Sequence, residues 1–550
     1  MKRSPSRGSP PLVNYRFGWR LRQLRFCVTQ RSASRLTRTA DVGSLDFKPP
    51  RRISGGAAFC SLVSVRSRIP IILLAVLCAC ETRTEPKKSE VIIPAARGSV
   101  SWLDSEDSST WTESDRPFLL FLHAERSPWS RLMIQDVFTD QEVAWEIGRI
   151  TRPVWVDADL RPDLVDRFGL GSIPGLAVLT RDLTWITGSG FMGREDVVDL
   201  LRRIRILHDI PERRTGLERE RAKLLRRRPI PSGAWAKTAT RSSILSRLSE
   251  AVDAADHPSI EARLWLVERG ASDGGAWADA IRNGMEAADG PIVDGGLDDL
   301  GIERDPTVSL ARNAGILYGL AGIAAHNQSE ELASVAGQLY LAVTERLYDE
   351  ASGLFLAGDV SSADSRGTTY RVDLRTPTAE NALMVSAICL LGTVRPNKEA
   401  RVVGLAVLDR LIASRLVNDT VVRVDSIRSA PQIADAAHLA RACLDAASAF
   451  GDDRYRQTAQ EIVSRLTASL DWTDAAANPW EGFHPIGADD LYGSGIGVIG
   501  QVLVRLRDAG GEETTGKLAD QICREAVVRE PERLGRLGSV GRALDGLGKE

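Results

Sequence analysis

Between residues 242 and 528 the chain repeats one pattern: Ala/Leu-rich stretches, apolar at every third and fourth position, separated by short Gly-, Asp- and Pro-rich turns. The stretches fall at 244–254, 260–269, 277–287, 309–325, 332–347, 379–391, 398–414, 433–450, 454–470, 493–508 and 515–528. A stripe of that period makes a helix that has to bury one face on a neighbour. About eleven such helices with short turns and almost no strand signal suit antiparallel hairpins closed into a ring. The expectation for 241–550 is therefore an all-α (α/α) toroid.

The part ahead of it reads differently. The apolar run 117–123 behind a proline is a buried central strand, 153–157 is a second, and 176–180, led by Ile173-Pro174, is a third. Leu132, Met133, Val137 and Phe138 recur at near-helical spacing, and 142–150, 163–168 and 194–204 are helical stretches. Strand, helix, strand, helix, then X-Pro before a strand is the thioredoxin order, so 101–205 is expected to be an α/β thioredoxin-like domain. Residues 206–240 are an Arg-rich linker broken at Pro229 and Pro231.

On these residues the chain resembles the spermatogenesis-associated protein 20 family, in which a thioredoxin-like domain is joined to a helical toroid. The matching positions are Trp102, Arg116-Pro117-Phe118, Phe138, Glu142-Val143-Ala144, Val156-Asp157 and Arg161-Pro162-Asp163. The likeness continues more weakly through Gly290 to Gly296, Asn313 to Gly319, Asp373, Thr376, Asn381 to Met384, Asp435 to Leu439 and Phe450 to Tyr455. What it implies is a thioredoxin-like domain followed by a six-hairpin glycosidase-like toroid. Two departures fall on polar signatures. The family's Cys-x-x-Cys is Ser127-Pro128-Trp129-Ser130 here, and its His-Phe-Glu-Lys run is Pro306-Thr307-Val308-Ser309.

The first departure decides the chemistry. Thiol–disulfide exchange needs a thiolate stabilised at a helix N-terminus, and a serine hydroxyl offers no such anion. Ser127 and Ser130 are thus degenerate redox positions, and Ser127 is expected to cap the helix with Pro128 in its first position. His123 is the nearby base a serine hydrolase would use, but no G-x-S-x-G elbow accompanies it. With Trp129, Ile173 and Pro174 beside them, these residues suit a groove that holds a peptide without reacting with it.

(α/α) toroids resemble the cores of glycosidases and sugar epimerases, which set acids or histidines at one mouth of the ring. Candidates here are Asp294, Asp305, Glu380, Asp425, Asp435, His438 and Glu481, with Asp294, Asp435 and His438 foremost. His438 sits on a strongly apolar stretch, as a core histidine would. Trp472, Trp480, Phe483, His484 and Tyr492 gather in one loop-rich region and could stack on a sugar. None of the seven cysteines forms C-x-x-C or a Cys/His cluster of zinc spacing, so no metal and no cofactor is expected.

Charge is divided unevenly. The formal net charge is −2, yet residues 1–60 hold thirteen Lys/Arg against Asp41 and Asp46, and Arg66 and Arg68 add two more positive charges, so residues 81–550 stand at −15. Such a body has no attraction for nucleic acid. Arg66, Arg68, the short apolar run 69–79 and Cys80 read in order as a lipoprotein signal at 61–80, too short to span a bilayer. The basic, aperiodic extension 1–60 then reads as a mis-assigned start, and 81–100 as a tether. The sequence alone thus describes a cell-envelope lipoprotein, anchored through Cys80 on the periplasmic or extracellular side. Its role is binding or scaffolding, for a peptide or carbohydrate ligand. The alternatives are a carbohydrate-active enzyme at the toroid mouth and a thiol–disulfide oxidoreductase.

Overall fold

The structure, a computed structural model, describes residues 97–105, 116–125, 127–168, 173–180, 185–209, 236, 238–255, 258–272, 274–288, 307–360, 373–418, 420–424, 432–469, 494–529 and 534–548. All belong to one packed unit, Glu90–Glu550. Its first layer is a five-stranded mixed sheet built from β1 (Leu103–Asp104), β2 (Phe118–His123), β3 (Arg152–Asp157), β4 (Gly175–Leu179) and β5 (Trp185–Ser189). The strands lie side by side as β1-β3-β2-β4-β5. β3 runs parallel to β1 and β2, with Phe118 opposite Arg152 and His123 opposite Asp157. β4 runs antiparallel to β2 and β5. The peptide bond between Ile173 and Pro174, just before β4, is cis.

β2 is buried on both faces, which is why it reads as an unbroken apolar run. Phe118, Leu120 and Leu122 point to one side, where they meet Leu164 and Phe168 of α3 (Pro162–Phe168). Leu119 and Phe121 point to the other. There they pack with α1 (Pro128–Met133) and the π-helical turn Ile134–Phe138 that prolongs it, with α2 (Gln141–Ile150), and with α4 (Arg194–Asp209). Asp140 caps α2 by accepting the Glu142 and Val143 N–H groups, and Arg194 at the start of α4 clasps the same carboxylate at 2.6 Å.

The second layer contains twelve helices among the described residues, one more than the eleven periodic stretches. In chain order they are α5 (Arg241–Asp253), α6 (Ile260–Glu268), α7 (Gly275–Ala288), α8 (Leu310–Asn327), α9 (Glu330–Leu347), α10 (Thr378–Val394), α11 (Lys398–Arg415), α12 (Ile433–Phe450), α13 (Asp453–Ser469), α14 (Gly495–Asp508), α15 (Glu513–Arg529) and α16 (Gly538–Gly546). The even-numbered helices form the inner wall: α6 packs on α8, α8 on α10, α10 on α12, α12 on α14, α14 on α16, and α16 back on α6. The odd-numbered helices lie outside them, α9 against α8, α11 against α10, α13 against α12 and α15 against α14. This is an (α/α) toroid of six hairpins.

Sequence and position agree. Inner helices α8, α10 and α12 are buried nearly all round, because they are covered by both ring neighbours and by an outer helix. Side-chain caps fix several starts: Thr240, Ser259, Ser309, Ser329 and Ser494 each accept the N–H three residues on, and Asn397 accepts those of Glu399 and Ala400. The helix that sequence periodicity misses, α16, is the one that closes the ring. A Cβ on Gly538 would lie 2.3 Å from the Ala262 nitrogen, and one on Gly541 would lie 2.7 Å from the Trp265 ring, so α16 approaches α6 as only glycine permits. Short two-stranded ladders ornament the hairpin loops: β6 (Thr307–Ser309) with β9 (Gly358–Val360), β7 (Tyr348–Asp349) with β8 (Leu354–Phe355), and β10 (Leu416–Val417) with β11 (Thr420–Val421).

Candidate functional site at the ring mouth

The redox question turns on the two serine positions. Ser127 caps α1, its Oγ accepting the Ser130 N–H at 3.3 Å, and Pro128 takes the first helical position. Ser130 is buried and its Oγ accepts the Ala124 N–H at 3.2 Å. His123 lies against Trp155 with ring centroids 4.1 Å apart and planes tilted by 50°, and burial, aided by Arg375, pushes its pKa down to about 3. Its Nε2 has no hydrogen-bond partner among the described residues. A neutral buried imidazole is no base for either hydroxyl. The described cysteines, Cys389, Cys443 and Cys523, are buried in the ring, where desolvation raises every thiol, Cys523 to about 12. Trp129 is 47% exposed and meets Phe191 edge to face at 5.4 Å.

The toroid candidates divide. Asp294, Asp305, Asp425, Glu481, the aromatic group Trp472, Trp480, Phe483, His484 and Tyr492, and the lipidation candidate Cys80 lie outside the described residues. Glu380 and Asp435 are brought together at one mouth of the ring by a residue that sequence reasoning passed over, Arg423. Its Nη2 donates to Glu380 Oε1 at 2.7 Å and its Nη1 to Asp435 Oδ1 at 3.1 Å. Asp435 Oδ1 also accepts the Ala379 N–H at 2.9 Å, tying the first turn of α12 to that of α10. Burial raises the Asp435 carboxyl from 3.8 to about 6, Arg423 opposing and Glu380 adding to the shift.

His438 does not join them. It lies one turn further along α12, fully buried, with Nδ1 2.9 Å from Arg441 Nη2. Arg441 belongs to a second polar layer that fills the bore. Glu261 of α6 accepts from Arg441 Nη1 and from Arg542 Nη1, both at 2.5 Å, and Gln501 Nε2 lies 3.3 Å from it. The Arg441 guanidinium covers the Tyr318 ring at 4.3 Å. Burial would push the Glu261 carboxyl up, but Arg542 and Arg441 outweigh it and hold it at about 2. This layer is a charge-compensated plug in the bore.

A second overlooked arginine joins the mouth to the sheet. Arg375 donates to Asp157 Oδ2 through Nη1 and to Asp159 Oδ2 through Nη2, each at 2.7 Å, and to Asp373 through Nε and Nη2. Arg423 Nε donates to the Asp159 carbonyl. Burial disfavours the Arg375 charge, yet the three aspartates raise its pKa well above the ordinary value. Charge-assisted hydrogen bonds contribute roughly 1.5–3 kcal/mol each, so the junction is worth several. Between the layers remains a recess of about 10 Å³, lined by Asp159, Leu160, Ala311, Arg375, Glu380 and Arg423 among others. That is room for about one water molecule and none for a sugar ring. Among the described residues no group of three or more side chains could hold a metal ion, and no helix is long and apolar enough to cross a membrane.

Neither a family profile nor a curated protein sequence matches the chain. Among solved structures, the chain is similar to a GH76 α-mannanase from Bacteroides thetaiotaomicron, at 12% identity and a TM-score of 0.40, with 56% of this chain and 95% of that one covered. It is similar to a D-mannose isomerase at 15% identity and a TM-score of 0.34, covering 47% of this chain and 71% of that one. A DsbH oxidoreductase aligns at 16% identity and a TM-score of 0.18, covering 23% of this chain and 97% of that one. At these values the likeness carries nothing about activity.

Proposed function

We propose that the chain is a binding or scaffold protein of the cell envelope, held to a membrane by a lipid on Cys80, with a redox-inactive thioredoxin-like layer set on the mouth of an (α/α) toroid. The strand order β1-β3-β2-β4-β5, with a proline leading into β4, supports the thioredoxin-like reading. Oxygen at both positions 127 and 130 supports the loss of redox chemistry. One observation carries the preference for binding over turnover: Arg423 takes an oxygen from each of Glu380 and Asp435, so both of these mouth carboxylates are engaged in holding the structure together. The exposed Trp129–Phe191 pair is the surface such a protein would offer a peptide.

The test is an incubation of the purified chain with mono- and oligosaccharides, followed by product analysis, alongside a peptide-binding titration read by tryptophan fluorescence in the native chain and in Trp129→Phe. Saturable binding without product supports the proposal. Sugar turnover that disappears in both Glu380→Gln and Asp435→Asn overturns it. Mass spectrometry of the mature N-terminus, showing a diacylglyceryl adduct on Cys80 or its absence, decides the anchor separately.

A carbohydrate-active enzyme at the mouth is the second reading, and one observation favours it. A carboxyl raised to about 6 beside a second carboxyl is poised to give up a proton near neutral pH. Turnover would require the mouth to open beyond its present recess.

A further inference from the structure

The turn that follows β3 is held together by its own hydrogen bonds. Asp157 accepts, through its side chain, the N–H groups of Asp159 and Leu160 at 2.9 and 3.4 Å, and its carbonyl accepts those of Leu160 and Arg161 at 3.2 and 2.8 Å. Ala158 N–H is bound to the His123 carbonyl at 2.7 Å. The turn therefore owes its shape to the sheet layer and to itself. Its outer side is pressed on the ring mouth, where Asp159 and Leu160 form part of the recess wall opposite Ala311 and Glu380.

The arginines on the ring side also have partners within the ring. Asp373 fixes Arg375 by accepting its backbone N–H at 3.1 Å and its guanidinium twice, at 2.8 and 2.6 Å, while the Arg375 carbonyl accepts the Ala357 N–H at 2.6 Å. Arg423 is paired within the ring to Glu380 and Asp435. If the turn withdrew, each ring arginine would retain a carboxylate from the ring, and Asp157 and Asp159, already about one-fifth exposed, would pass into water. No charge would be stranded in an apolar site on either side. Separation of such a joint avoids the penalty of leaving a buried charge uncompensated.

We propose that residues 157–161 form an autoinhibitory plug, carried by the sheet layer and clasped by Arg375 and Arg423, that closes the ring mouth and leaves as a rigid unit to admit a ligand. The inference holds whether the opened mouth binds or turns over that ligand. It accounts for a recess that admits one water molecule in front of a carboxylate pair.

The test places a reporter behind the plug. Ala311→Cys puts a thiol at a recess-lining position that is 9% exposed. Its reaction with N-ethylmaleimide is followed by mass spectrometry of the peptide carrying residue 311, in the full chain. Cys389, 2% exposed within α10, is read in the same sample as the monitor of ring unfolding. Two releasing variants are compared with this parent: Arg375→Gln, and Asp157→Asn with Asp159→Asn. The expected result is labelling at 311 at least tenfold faster in either releasing variant, with Cys389 unchanged. Rates at 311 within twofold of the parent overturn the proposal. So does labelling that rises at 311 and Cys389 together, or loss of helical circular dichroism in both variants, because either would make the clasp part of the ring's own stability.

Discussion

Replacing Asp435 by asparagine separates the cost of a buried charge from the value of the bonds it makes. Asp435 is fully buried, and its carboxyl is raised from 3.8 to about 6 by burial against the pull of Arg423. An unfolded chain loses this proton near 3.8, whereas the folded chain keeps it until about 6. Between those values the unfolded state is favoured as pH rises, so the contribution of Asp435 to stability falls across the window and is flat above it. The shift corresponds to about 3 kcal/mol. Asparagine keeps an oxygen for the Ala379 N–H and Arg423 Nη1 and has no proton to lose. Weakened attraction to Arg423 displaces the variant's stability by an amount independent of Asp435 titration; the slope is therefore the diagnostic. Urea unfolding followed by circular dichroism at several pH values between ~4 and ~7 gives both curves. Stability of the variant relative to the native chain is expected to climb by about 3 kcal/mol across that range. Glu261, held at about 2, contributes stability that is complete above 4.5 and lost as pH falls toward 2; it is common to both proteins and cancels. Parallel curves, or a difference that falls as pH rises, would refute the reasoning.

Other consequences can be checked directly. Glu261→Ala leaves Arg441 and Arg542 buried without their shared carboxylate and should cost about 3–5 kcal/mol in denaturant unfolding, whereas Glu261→Gln, which keeps an acceptor, should cost less. Gly538→Val should lose at least about 1–3 kcal/mol, because the atoms it meets are the Ala262 backbone, and limited proteolysis should then cut near α16 first. The native chain should leave an insulin-type disulfide substrate oxidised. Ser127→Cys combined with Ser130→Cys should create a titratable thiol below the ordinary cysteine pKa of about 8.5, seen in a pH series of thiol-reagent rates, because the helix N-terminus is already in place.

How much of this was readable beforehand varied with the kind of signal. β2 announced itself because a strand covered on both faces has no polar positions, and the Ser127 cap was legible because its partner is three residues away. The ring helices were legible from their period, but not their division into inner and outer walls, which depends on what covers the second face. α16 escaped notice because nine residues containing Gly538, Gly541 and Gly546 look like a turn; the glycines that hide it are what let it close the ring. The π-helical turn at Ile134–Phe138 gave no sign in its composition. At the mouth, a search for acids found Glu380 and Asp435 but missed Arg375 and Arg423. Arg375 meets partners 218 and 216 residues away, a separation that no local pattern encodes. A signal was available in retrospect: an acid on an apolar inner helix must be paired or protonated, so each one advertises a missing cation.

The two polar layers of the ring are not independent decorations, because one helix carries both. Along α12, Asp435, His438, Arg441 and Asp445 recur at helical spacing. They bind in turn Arg423 at the mouth, the neighbouring Arg441, Glu261 in the bore, and Arg505 beyond it. The face that an ordinary inner helix would fill with aliphatic side chains here carries a polar ladder, in which Asp435, Arg441 and Asp445 pair outside the helix and His438 pairs with Arg441 within it. Among the described residues, Glu261 pairs with both Arg441 and Arg542 at this depth, and a ligand inserted between them would strand one of the three. Of the arginines in these layers, those at the mouth reach beyond the ring: Arg375 and Arg423 hold the 157–161 turn of the sheet layer against it.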